Sequence, residues 1–171
     1  PDRWGIQAQR SEPPWRLVRG DSLMGRFAII RSAMLTAALL VLAGCIVESG
    51  PELSAPAALA RAESGQLTII DIRTPQEWRQ TGVGKDVQRL DMRHPGGVNG
   101  FVTDILARVD GDKTAAIALI CRTGNRSGQM QRLLLDNGFT QVFNVREGMV
   151  GSSAGPGWIE RGLPVEPCRR C

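Results

Sequence analysis

The stretch 114–121, TAAIALIC, is apolar at every position after its threonine. A strand wetted on one side alternates apolar and polar residues. This one does not, so both its faces must be covered. That reads as a central strand of a parallel sheet lying between layers of helix. Other segments fit the same frame. QLTIIDI at 66–72 is apolar and β-branched, TQVFNV at 140–145 is a further strand, and VQRLDM at 87–92 is a weaker one. Helical patterns separate them. PAALARAES at 56–64 stops at Gly65. TPQEWRQTG at 74–82 offers Thr74 as N-cap, Pro75 at the first helical position and Gly82 beyond the end. Phe101, Val102, Ile105, Leu106 and Val109 share one helical face. SGQMQRLLLDNGF at 127–139 aligns Met130, Leu133, Leu134 and Asn137 in one stripe, with Gly138 as C-cap. Strands alternating with helices imply an α/β fold with a mostly parallel central sheet flanked by helices. The Gly/Pro-rich 146–167 adds no more than one short helical turn.

The first third of the chain does not belong to that pattern. Residues 1–23 lack periodicity and read as an unstructured or upstream-translated segment. Arg26 and Arg31 then precede the apolar run 33–43. That run, about 11 residues long, falls in the signal-peptide range and short of the roughly 20 needed to span a membrane. LAGC at 42–45 closes the segment 24–45 and resembles the lipobox of bacterial lipoproteins, which implies acylation and membrane anchoring at Cys45. The other reading is an ordinary export signal, cleaved nearby or at ALA, 58–60. On either reading the domain is exported, to the periplasm, where an oxidising environment bears on the other cysteines. Residues 46–55 read as a linker, 56–167 as the domain and 168–171 as a CxxC tail.

Composition narrows the partners. The net charge is only +4, and much of the arginine lies at the two ends, as Arg3, Arg10, Arg16 and Arg19 and as Arg169 and Arg170. No basic block is interleaved with aromatics, which argues against nucleic acid. There is one histidine, His94, and no upstream zinc-type spacing.

The chemistry concentrates at LICRTGNRSGQ, 119–129. Cys121 ends the buried strand, and a helix begins near Ser127. In open α/β sheets that edge is where ligands bind. A loop curling over a helix N-terminus turns several backbone N–H groups inward, which favours negative charge. Arg122 and Arg126 add cations, and Gly124 allows a tight curl. Such a cradle favours a nucleophilic thiolate over an inert buried thiol.

CRTGNRS at 121–127 resembles the active-site loop of single-domain rhodaneses, the sulfurtransferases. IIDIRTPQEW at 69–78 is similar to that family's first-strand signature, and FNVREGMVGSSAGPGWIERGLPV at 143–165 to its C-terminal segment. The resemblance spans roughly 55–167. TGVGKDVQRLDMRHPGG at 81–97 departs from it, lacking the Gly–His–Ile–Pro–Gly–Ala turn of many relatives. The resemblance implies a rhodanese-like three-layer α/β fold. It also implies a reaction: Cys121 takes the outer sulfur of an anionic donor such as thiosulfate or a polysulfide, becomes a persulfide, and passes the sulfur to a thiophilic acceptor. Thr123, Gly124, Asn125 and Ser127 would line the substrate site with Arg122 and Arg126, and the mechanism so implied needs no metal and no organic cofactor. Two other functions are a persulfide carrier or sulfur-sensing module without turnover, and a phosphatase or arsenate reductase. The related phosphatases use Cys-x5-Arg, whereas Cys121 to Arg126 is the shorter Cys-x4-Arg.

Asp71, Arg73 and Glu77 read as an ion-pair network fixing the strand-to-helix turn. Trp78 and Trp158 read as packing, and His94 as a solvated loop residue. Cys168 and Cys171 could pair, resolve a Cys121 persulfide, form half of a metal site or idle in the tail.

Overall fold

The computed structural model describes residues 50–171. The expectations for 1–23, the signal segment 24–45 and Cys45 lie outside these residues. Five strands form a parallel sheet: β1 (Glu52–Leu53), β2 (Thr68–Asp71), β4 (Gln88–Arg89), β5 (Ile117–Ile120) and β6 (Val142–Val145), in the order β1-β6-β5-β2-β4. β5 is central, as its apolar run requires. Four helices surround the sheet: α1 (Ala55–Glu63), α2 (Pro75–Thr81), α3 (Gly97–Ala107) and α4 (Asn125–Asp136). A small antiparallel pair, β3 (Val83–Gly84) with β7 (Val165–Glu166), ties the end of the domain to the segment after α2.

Alternation along the strands divides the core into two layers. Ile70, Ile72, Ile117, Leu119, Cys121 and Val142 face Phe101 and Ile105 of α3 and Met130 and Leu134 of α4. Ile69, Ala118, Ile120 and Val145 face Ala55 and Ala58 of α1, together with Met149 and Trp158. Complete burial of a side chain such as Leu119 or Ile120 contributes about 1.5–3 kcal/mol, so β5 is the main apolar seam.

The segment read as linker is partly structural. β1 pairs with β6, and Gln131 on α4 fastens it, its amide Nε2 donating to Pro51 O at 2.7 Å and to Val142 O at 2.8 Å. α4 begins at Asn125, two residues before the expected Ser127. Asn137 is exposed rather than part of the apolar stripe, because it caps α4 and its amide donates to Leu133 O. The helix 75–81 matches its expectation closely: Thr74 and Glu77 form a reciprocal capping box and Pro75 opens the helix.

Candidate active site

Cys121 follows β5 directly and is a free thiol, 1% exposed. Its sulfur receives the Ser127 backbone N–H at 3.4 Å and lies 3.3 Å from the Ser127 hydroxyl. Ser127 stands in the first turn of α4, where N–H groups have no partner within the helix. One of those orphan donors is therefore aimed at sulfur, at the positive end of the helix dipole. The hydroxyl has one proton and two acceptors within reach, the sulfur and Gly124 O at 3.1 Å. A negatively charged sulfur would draw that proton.

The loop between Cys121 and α4 is braced from behind. Gly124 takes the left-handed conformation at φ 83°, and a Cβ there would stand 2.0 Å from Arg146 O. Gly148, at φ 69°, meets Arg122 O in the same way, at 2.4 Å. Each glycine thus admits the backbone of the opposite loop. Met149 N donates to Cys121 O at 2.9 Å and Val150 N to Arg122 O at 3.0 Å. Asn144, buried on β6, donates through Nδ2 to Gly124 O at 3.2 Å.

The two loop arginines differ. Arg126 forms a bidentate pair with Glu77, at 2.9 and 2.5 Å. The Arg126 guanidinium holds the Glu77 carboxyl down from its ordinary 4.5 to about 2, against the opposing effect of burial. Arg126 is pushed up in turn, chiefly by Glu77 and to a smaller degree by the neighbouring Cys121. Arg122 is exposed and makes no ion pair among the described residues. Thr123 is half-buried and Asn125 exposed. A cleft of about 420 Å³ lies on the outer side of the loop, lined by Gly124, Asn125, Gly128, Arg132 and Arg146, and does not reach Cys121.

The expected Asp71–Arg73–Glu77 network divides in two. Arg73 is 1% exposed and pairs with Asp71 at 2.6 Å, then reaches Thr81 Oγ1 at 2.6 Å and Gly82 O at 2.7 Å. This closes the turn from β2 into α2. Glu77 belongs instead to the nucleophile loop. His94 keeps 21% of its side chain exposed and is held locally as well: its Nε2 lies 3.3 Å from Asp104 and its Nδ1 accepts from Gly96 N, with Gly100 and Gly96 leaving room for the ring against α3. Trp158 is fully buried and donates to Pro164 O, a packing role. Cys168 and Cys171 are joined as a disulfide, the pairing among the four readings of the tail.

Residues 54–154 match the rhodanese-like domain family. The chain belongs to this family. The rhodanese-like domain is 26% identical over 102 residues to an uncharacterized protein of Rickettsia prowazekii, a match covering 56% of this chain and 80% of that protein. It is 28% identical over 104 residues to a sulfurtransferase of Allochromatium vinosum, covering 61% and 82%. The crystal structure of Rv0390 from M. tuberculosis overlays with a TM-score of 0.54 at 22% identity, covering 71% of this chain and all of that one, and shares its fold. Family and relative together support a sulfurtransferase-type enzyme.

Two polar residues of this rhodanese-like domain escaped the sequence reading. Asn144 interrupts an apolar strand at a core-facing position, a signal in itself. Glu147 is 5% exposed, accepts from Ala55 N at 2.9 Å and pairs with Arg161, joining α1 to the 155–161 loop. No local pattern marks it.

Proposed function

We propose that this domain transfers sulfane sulfur through a persulfide on Cys121. The observation that carries this reading is the Ser127 N–H, an unpaired helix-terminal donor, directed at the Cys121 sulfur. In the first step the thiolate attacks the outer sulfur of thiosulfate. An S–S bond forms to Cys121, the sulfur–sulfur bond of the donor breaks, and its electron pair leaves on sulfite. In the second step a thiophilic acceptor, cyanide or a thiolate, takes the outer sulfur and Cys121 returns to the thiolate. No other redox partner is needed, and two easier displacements replace one difficult transfer.

The loop supports each step. Ser127 N–H and hydroxyl hold negative charge on sulfur. Arg126 is largely neutralised by Glu77, so attraction of a dianionic donor falls to Arg122. The near-complete burial of Cys121 favours a compact donor. The loop as a whole has the short Cys-x4-Arg spacing, suited to a sulfur atom rather than a phosphate.

Mass spectrometry after thiosulfate or polysulfide treatment tests this reading. The expected result is one added sulfur on Cys121, removed by cyanide as thiocyanate. Cys121→Ser should abolish both while the fold survives. Turnover retained in Cys121→Ser, or abolished in Cys168→Ser with Cys121 intact, would refute it. A persulfide that forms on Cys121 but is passed to no acceptor would point to a carrier.

A further inference from the structure

The Cys168–Cys171 disulfide lies beside Arg89, whose Nη1 stands 2.7 Å from Cys168 Sγ and 2.8 Å from Cys171 Sγ. Arg89 belongs to β4, and its backbone is fixed there by pairing with Asp71 of β2 and by the Arg108 side chain, which donates to Arg89 O at 3.2 Å. The tail is latched a second time by Arg79 of α2, which donates to the main-chain oxygen of Cys171. A cleft of about 350 Å³ opens against the pair, lined by Val83, Gly84, Asp86, Arg89, Glu166 and Cys168. Cys168 reaches this cleft; Cys171 does not line it.

These features are not what a purely structural crosslink requires. The bridge closes a loop of sequence separation 3, so it removes little freedom from the unfolded chain. A guanidinium offers little to a neutral disulfide. It does stabilise the thiolate that appears when the bond breaks. We propose that Cys168–Cys171 is a second redox centre, a thiol–disulfide exchange site that accepts two electrons from an external dithiol entering the cleft at Cys168.

The exchange balances. A thiolate of the dithiol attacks Cys168 Sγ, a mixed disulfide forms, and the Cys168–Cys171 bond breaks with its electron pair on Cys171 Sγ, beside Arg89. The second thiolate of the donor then attacks its own partner sulfur in the mixed disulfide. Cys168 leaves as thiolate, again beside Arg89, and the donor departs as a disulfide. The pair gains two electrons and the donor loses two. The protons of the donor thiols pass to Cys168 and Cys171 through solvent.

Asp71 pairs with both Ile120 and Arg89, which puts Arg89 two strands from the residue before Cys121, about 10 Å across the sheet.

The test uses the full chain carrying Cys45→Ala and Cys121→Ser, which leaves Cys168 and Cys171 as its only cysteines. Dithiothreitol is the probe, and thiols are counted by mass tagging without denaturant. The disulfide should be reduced as a pair, and Arg89→Gln should slow reduction about three- to tenfold through a poorer leaving thiolate. Arg89→Lys should recover most of the rate. With Cys171→Ser, glutathione disulfide should trap Cys168 faster than it traps Cys171 in the Cys168→Ser protein. A bond that resists dithiothreitol in the folded chain would overturn the proposal, as would an unchanged or faster rate in Arg89→Gln, the result expected of a merely structural contact.

Discussion

Glu77 and Arg126 lie 49 residues apart and meet through two hydrogen bonds, at 2.9 and 2.5 Å. Glu77 is also the closing member of the capping box of α2. One carboxylate therefore fixes the first turn of two helices, and the second of those turns holds Ser127 against the nucleophile. Glu77→Gln should release this joint, costing about 1–3 kcal/mol of stability and about tenfold in sulfur transfer, the equivalent of 1.4 kcal/mol. Thermal unfolding and thiocyanate formation measured together check it. Full activity in Glu77→Gln would mean that the pair is structural alone.

The same pair sets an acid limit. The unfolded chain takes up a proton at Glu77 near 4.5, while the folded one resists until about 2. Stability from this group is thus complete above about 4.5 and is lost as pH falls toward about 2. The pair is partly exposed, at 16% for Glu77 and 31% for Arg126, so solvent screening lowers its contribution to about 1–2 kcal/mol. Unfolding followed between pH 6 and pH 2 should show a steeper loss in the wild type than in Glu77→Gln.

Gly124→Ala should be damaging beyond backbone strain. Its Cβ would enter Arg146 O, which is main chain and has no rotamer to yield. Gly65 supplies the control: its φ is also positive, at 71°, but nothing lies within 4 Å. Gly65→Ala should cost about 1 kcal/mol. Gly124→Ala should cost at least about 3 kcal/mol and abolish persulfide formation. Equal melting temperatures for the two variants would contradict this.

Arg122→Ala should leave the melting temperature unchanged, since the side chain is exposed. It should raise KM for thiosulfate about tenfold, with a smaller effect on kcat and a weaker dependence on salt. An unaltered KM would remove Arg122 from donor binding.

Localisation rests on LAGC, 42–45. We propose that Cys45 is acylated and tethers the domain to a membrane on the periplasmic side. Several acyl chains anchor firmly where one is marginal. Detergent-phase partitioning should be lost in Cys45→Ala. Wild-type protein recovered only in the soluble periplasmic fraction, with an N-terminus beyond residue 45, would indicate an ordinary cleaved signal.

Much of this architecture is legible in local chemistry. The unbroken apolar run before Cys121 announces a central strand, and Thr74 and Pro75 spell out a helix start that depends on immediate neighbours alone. β1, β3 and β7 are two residues each and too short to carry a period; their partners define them. The Glu77–Arg126 pair is invisible for the same reason, as nothing near Glu77 distinguishes it from a carboxylate that would turn to Arg73. The seat of the His94 ring is invisible too, because it depends on two glycines and on Asp104 of a later helix.

The short helix α2 has a mechanical consequence. Its Glu77 holds the Cys121 loop through Arg126, and its Arg79, two residues on, holds the main-chain oxygen of Cys171. Seven residues of one helix thus hang the nucleophile loop and the C-terminal tail from the same rod, so a shift of that rod is felt at both ends of the domain's sulfur-bearing sequence.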